Sequence, residues 1–227
     1  MTTVFSLGGS LLFKDGRIDV EYVKAISKYL IDFSKKEKII ICVGGGAFSR
    51  EYARAIREIA KNEFMADEAA ILTTRSNAFV LISALGEKAY PVVLTDFHEA
   101  KIAVELGLIG VGAGTLPGIT TDACSALYAE LLHAGRLINL SNSAVYDSDP
   151  RANPKAKKLS VMPHRQLTAL AAEQDSRQAK SNFVFDLFAC KICERSNIEV
   201  VFVDGRDLAQ VKAAFENKKH EGTIVRD

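Results

Sequence analysis

The feature that most constrains this chain is an alternation. Short runs rich in branched side chains, at residues 4–7, 39–43, 91–95, 108–111, 137–140 and 199–203, read as strands buried on both faces and mostly parallel. Between them lie helical patterns at residues 20–33, 51–60, 77–85, 97–106 and 186–195. The clearest apolar stripe is Cys124, Leu127, Tyr128, Leu131 and Leu132, at i, i+3, i+4, i+7 and i+8. Strands that alternate with amphipathic helices over most of a chain predict an α/β fold with a doubly wound sheet. The 227 residues contain no Pro/Ser-rich linker, repeat period or low-complexity stretch, so they read as one domain, 1–227.

Composition narrows what such a fold can do. Lys plus Arg is 29 and Asp plus Glu is 28, so no global field recruits nucleic acid or an anionic membrane surface. With 48% hydrophobic residues the chain can bury enough apolar surface to offset its conformational entropy. Cys42, Cys124, Cys190 and Cys193 are too few and too scattered for a disulfide scaffold, which fits a reducing compartment. Cys190 and Cys193 form a C-x-x-C inside a helical pattern, with no second pair or matching histidine to complete a tetrahedral metal site. The first nine residues carry no basic leader and no apolar run spans a bilayer, so a cytoplasmic location is expected.

Parallel α/β sheets bind ligands at the carboxyl ends of their strands. The first strand ends in Gly8-Gly9-Ser10. The second ends in Gly44-Gly45-Gly46, with Ser49 and Arg50 following as a helix begins. Glycine lets backbone N–H groups approach a phosphate without a Cβ in the way, and the helix N-terminus adds partial positive charge. A single glycine pair after a strand is usually just a turn; two at consecutive strand ends point to anion binding, with Arg50 as a bidentate grip. Neither loop fits G-x-x-x-x-G-K-[ST], and residues 110–115 fail G-x-G-x-x-G at the last position.

A third segment, 112–122, runs from a strand end through Pro117 and Gly118 to Thr120, Thr121 and Asp122. One threonine can be an N-cap with Asp122 favouring the helix dipole; alternatively the hydroxyls and free N–H groups contact a phosphorylated ligand. Phosphoryl transfer asks for positioning and positive charge and for little covalent chemistry. The dispersed histidines, 98, 133, 164 and 220, offer no triad or zinc motif in competition.

Taken together, Ser6-Leu7-Gly8-Gly9-Ser10, Val43-Gly44-Gly45-Gly46 with Arg50-Glu51-Tyr52, Thr74-Arg75-Ser76-Asn77-Ala78, segment 114–122, Val145-Tyr146 with Asp149-Pro150, and segment 186–196 resemble the amino-acid kinase superfamily, in its archaeal-type UMP kinase branch. The resemblance is collinear over nearly the whole chain. It implies a three-layer α/β/α sandwich around a mainly parallel sheet, a homo-hexamer, and transfer of a phosphoryl group from ATP, with Mg2+, to UMP. It also implies roles: Ser10, Asp122 and Lys191 in catalysis; Gly45, Gly46, Arg50, Asp67, Thr115 and Thr121 on UMP; Gly8, Gly9, Ser141, Tyr146 and Asp149 on ATP. Other readings of single residues stand beside these, with Asp67 as a helix cap, Tyr146 as a core ring, Lys191 as a solvated lysine, and Arg75 and Asn77 as helix-start or subunit-contact residues.

Three departures qualify the resemblance. Leu140-Ser141-Asn142-Ser143-Ala144 stands where the family usually has Thr-Asn-Val-Asp-Gly, so an acid and a glycine are lost on the ATP side. Ile119 replaces a usual histidine. Position 6 is serine where many superfamily members have lysine, which leaves Lys14 or Lys191 to neutralise developing charge. Isopentenyl phosphate kinases usually carry histidines around the second glycine loop, where this chain has Ala47-Phe48-Ser49-Arg50. A catalytically weak nucleotide-binding or storage oligomer of the same fold is the alternative of a different class.

Overall fold

The structure is a computed structural model that describes residues 1–140, 144–148, 153–175 and 185–227. The chain runs through β1 (Thr2–Leu7), a 3-10 turn (Gly9–Leu12), β2 (Phe13–Lys14), β3 (Arg17–Ile18), α1 (Val20–Ser34), β4 (Lys38–Val43), α2 (Gly46–Ala60) and α3 (Glu63–Leu85). It continues through α4 (Glu99–Glu105), β5 (Gly110–Gly112), α5 (Thr121–Leu131), β6 (Arg136–Asn139), β7 (Val145–Tyr146), β8 (Lys158–Leu159) and β9 (Val161–Met162). The last elements are α6 (His164–Asp175), α7 (Leu187–Arg195), β10 (Glu199–Phe202), α8 (Leu208–Phe215) and β11 (Thr223–Val225).

Seven strands form one sheet in the order β5-β4-β1-β6-β10-β11-β9. Its pairings are parallel except β10 with β11. Strand residues alternate between two apolar layers, as a pleat with a two-residue period requires. Phe5, Leu7, Ile39, Ile41, Val43, Ile138 and Val201 pack with α1, α3 and α8 on one face. Val4, Ile40, Cys42, Leu137, Val200 and Phe202 pack with α4, α5, α6 and α7 on the other. Both faces are covered, which is why the strands read as nearly unbroken apolar runs. The aromatic layer is continuous on the first face: Phe33 of α1 stacks on Phe215 of α8 at 4.0 Å and on Phe5 of β1 at 6.0 Å. Truncating Phe33 to alanine would cost about 3–5 kcal/mol as lost burial plus cavity.

Helix starts follow capping chemistry. Asp19 accepts from the Tyr22 N–H, Asn62 from Met65, Thr120 from Ala123 and Asp186 from Ala189. Each such cap contributes about 1 kcal/mol. Three sequence expectations shift. Segment 91–95 is no strand: beside the sheet edge it makes only the isolated bridge Leu94 to Gly112, because Pro91 has no N–H for a ladder. The expected helix 77–85 begins fourteen residues earlier, at Glu63. The expected helix 51–60 begins at Gly46, so Arg50 lies a full turn inside it rather than at its start.

Candidate active site

The chain builds outward from β1 to β4 and β5 on one side, then returns to β6 and β10 on the other. The switch point therefore lies between β1 and β6, where doubly wound sheets open a crevice at the carboxyl edge. The loops after β1, β4 and β5 all collect there. So does the end of β6, which leads into residues 141–143.

The first two loops interlock backbone to backbone. A Cβ on Gly9 would stand 2.3 Å from the Gly44 carbonyl oxygen and from the Gly46 nitrogen, so no side chain fits there. Gly46 opens α2 with φ +68, a conformation that a side chain strains, and its own Cβ would meet the Gly9 carbonyl carbon at 2.8 Å. Gly8 precedes the 3-10 turn and accepts from the Leu11 N–H at 2.9 Å. Arg206, in the loop between β10 and α8, donates to the Ser10 carbonyl at 3.1 Å and the Phe13 carbonyl at 2.8 Å, and to Asp19 at 3.1 Å. Its guanidinium also lies over the Tyr22 ring. The first loop is thus held from behind by a charge, and Ser10 is left exposed on its rim.

Helix α3 runs beneath the second and third loops. Asn77, buried, donates its amide N–H groups to the carbonyls of Gly44 at 2.9 Å and Gly45 at 3.2 Å. One turn earlier, the buried Thr74 hydroxyl accepts from the Gly114 N–H at 2.9 Å. Asp67 accepts from the Gly118 N–H at 2.8 Å. Asp67 therefore sits inside α3 and ties it to the third loop; the N-cap is Asn62. Arg75 and Asn77 are likewise mid-helix, so the helix-start reading of those two residues is corrected.

The third loop delivers α5. Thr120 is its N-cap, and the Thr121 hydroxyl lies 3.5 Å from where a Cβ on Gly44 would stand. Thr115 is half-buried with its hydroxyl 3.4 Å from the Cys124 sulfur. Asp122 turns its carboxylate to the switch point, where Ser6 of β1 donates at 2.6 Å and Asn139 of β6 at 2.9 Å to the same oxygen. Ser6 and Asn139 are neighbours in register across the two strands. Burial pushes the Asp122 carboxyl up to about 7, with nearby Asp186 adding to the rise and the Ser6 and Asn139 bonds opposing it. At neutral pH this group is poised between its two protonation states.

Beside it, Thr120 donates to the Asp186 carboxylate, which also caps α7 by accepting from Ala189 at 2.8 Å. Gly118, Ile119, Thr120, Asp186, Phe188 and the exposed Lys191 line a cavity of about 420 Å³. Lys191 therefore faces the third loop. On the same helix, burial raises the thiols of Cys190 and Cys193, which are packed in the core.

The structure thus gathers Gly8, Gly9, Ser10, Gly45, Gly46, Thr121 and Asp122 at one edge, with Asp67, Thr115 and Lys191 around the third loop. Arg50 is exposed on α2 and makes no ion pair among the described residues. Tyr146 is half-buried on the separate ribbon β7–β8, paired with Lys158. Ser141 and Asp149 lie outside the described residues. Three residues without an assigned role in the sequence reading belong to this network, Asn139, Asp186 and Arg206, and Asn77 joins it in a role other than the helix start or subunit contact expected of it. Asp186 carried a legible signal, an acid just before an apolar helical stripe; the others become visible only once the strand order is known.

This geometry has counterparts elsewhere. Residues 1–204 match the model of the Amino acid kinase family. A uridylate kinase of Thermococcus gammatolerans is 42% identical over 99% of both chains. One of Methanospirillum hungatei is 39% identical over 99% of this chain and 94% of its own. The crystal structure of uridylate kinase from Archaeoglobus fulgidus superposes with a TM-score of 0.86 at 33% identity, covering 99% of this chain and 100% of that one. The glycine loops and strands β1, β4, β5, β6 and β10 fall within residues 1–204, and the chain belongs to the amino acid kinase family.

Proposed function

We propose that this chain is a uridylate kinase, transferring the γ-phosphoryl group of ATP to UMP to give UDP and ADP. The observation that carries the reading is the full-length likeness to relatives bearing that name, on a chain whose two glycine loops interlock at a switch point. Release of ADP that depends on added UMP tests it.

In this reading each residue does work that phosphoryl transfer requires, namely positioning and electrostatic stabilisation. The N–H groups of Gly45 and Gly46, at the N-terminus of α2, hold the UMP phosphate, and Arg50 closes over it with a bidentate grip. Asp67 spends one oxygen on Gly118 and turns the other to the ribose hydroxyls. Thr115 and Thr121 bind the remaining polar groups of UMP. Gly8, Gly9 and Ser10 line the path of the migrating group, and Lys191 neutralises the charge that develops on it. Tyr146, with Ser141 and Asp149, receives the adenosine.

Mg2+ is part of the proposal. It keeps several waters and binds through one or two carboxylates together with substrate phosphates. Among the described residues no cluster of three or more His, Cys, Asp or Glu could cage an ion, and Asp122 and Asp186 are the acids at the crevice. That donor set fits an ion brought in on a nucleotide. Asp122 and Asp186 would hold it, and it would supply charge neutralisation between the phosphates. The chain's own contribution is to keep Asp122 oriented through Ser6 and Asn139.

A homo-oligomer is proposed as well. On α3, Met65, Leu72 and Phe79 recur every seven residues and stand 46%, 63% and 58% exposed, a stripe suited to pairing with the same helix of a second copy. That isologous contact makes a dimer, and the implied hexamer adds a second interface. The same helix is long and apolar enough to cross a membrane, yet its other face is packed in the core and bonded to the loops. A cytoplasmic location accords with that packing.

A further inference from the structure

We propose that Asn77 is a positioning residue for the acceptor phosphate, acting through the peptide planes of the second glycine loop; the inference rests on the UMP reading of that loop. A trans peptide is planar, so its C=O and the following N–H point in opposite directions. Asn77 holds the Gly44 carbonyl at 2.9 Å and the Gly45 carbonyl at 3.2 Å, both turned toward α3. The N–H groups of Gly45 and Gly46 must then leave on the opposite side.

Asn77 bonds both of those planes from the α3 side. The Gly44 N–H is already spent on the Leu7 carbonyl at 2.9 Å. Glycines at 44, 45 and 46 leave the backbone the widest choice of dihedrals, and Gly46 already uses it, with φ +68. A flexible tripeptide that must present two N–H groups to one anion therefore needs an outside hand. Asn77 is 4% exposed and one turn along α3 from Thr74, which fixes Gly114 in the third loop. A single helical turn thus sets two loops relative to each other, and a side-chain amide is the one group of its size that offers two donors there.

The test compares the wild type with Asn77→Asp and Asn77→Ala in steady-state kinetics with Mg-ATP and UMP. Asn77→Asp keeps the shape but sets a carboxylate against two carbonyl oxygens; Asn77→Ala removes the donors without adding charge and carries the test if the first variant fails to fold. The inference predicts that KM for UMP rises at least tenfold in a folded variant while KM for ATP changes less than twofold. A fall in kcat with both KM values unchanged, or equal rises in the two, overturns it, because that pattern marks a merely structural asparagine. Should the wild type turn over no UMP, the acceptor reading fails separately. Asn77 is then judged by calorimetry with inorganic phosphate: a tenfold weaker affinity in the variant upholds the inference, and an unchanged affinity overturns it.

Discussion

Ser6 and Asn139 face each other across β1 and β6 and donate to the same oxygen of Asp122, at 2.6 and 2.9 Å. One acid from a helix thus bridges the two strands at the point where the order of the sheet reverses. The hydroxyl and the amide fix the direction of that acid, while burial resists its ionisation.

A pH dependence follows from that conflict. The Asp122 carboxyl lies near 7 in the fold against 3.8 for an ordinary aspartate, so between those values the folded chain holds a proton that the unfolded chain has lost. The stability this group contributes is full below about pH 4 and is lost as pH rises through 7. Asp122→Asn, which cannot ionise, should gain on the wild type steadily as pH rises from about 4 to 7 and melt several degrees above it at pH 8. Thermal melts across pH 5–8 check this, and a difference that stays constant with pH contradicts it.

Two glycine substitutions separate close approach from mere conformation. Gly9→Ala must displace the second loop, because its Cβ would lie 2.3 Å from two backbone atoms there. Activity should fall by more than about a hundredfold, the loss that follows when oriented donors at a reacting group are disturbed. Gly16 has φ +74 but open space around it, so Gly16→Ala should cost about 1 kcal/mol of stability and leave kcat intact. Kinetics and urea titrations of the pair check both statements.

Much of this layout is legible in the residues themselves. The strands at 4–7, 39–43, 137–140 and 199–203 reveal themselves through uninterrupted branched runs, and the two glycine loops through their position at strand ends. Helix α3 hides its first half because it is apolar on both faces: Ala66 and Ile71 pack inward while Met65 and Leu72 face outward, which erases the periodic stripe. In the structure Asn62 caps that start by accepting from the Met65 N–H. Segment 91–95 misleads because a branched run at a sheet edge, headed by a proline, looks the same in sequence as an inner strand. Asn77, Asn139 and Arg206 act on backbone far away in sequence, so no local pattern announces them.

Lys191 stands exposed on α7 beside the Thr120 and Asp186 pair. With Ser6 in place of a lysine on β1, it is the cation proposed to meet the charge on the migrating group. Lys191→Ala should lower kcat by about a hundredfold, the usual effect of deleting one stabilising donor, with little change in KM for UMP. An unchanged kcat removes Lys191 from the mechanism and turns attention to Lys14.

The outer stripe of α3 predicts an assembly that depends on charge. Leu72→Glu places a carboxylate in the middle of the proposed interface, where desolvating it without a partner is costly. Light scattering should show a smaller particle than the wild type, with the fold preserved by circular dichroism. A wild-type particle already monomeric would contradict the interface.

The most direct test of the central claim is a coupled ADP-release assay with Mg-ATP and saturating UMP, CMP, dUMP or isopentenyl phosphate in parallel. The uridylate kinase reading predicts turnover with UMP and none with isopentenyl phosphate, with the changed residues 140–144 tolerated. No turnover with any acceptor, in a protein that still binds UMP by calorimetry, would contradict it and leave a nucleotide-binding oligomer built on the same loops.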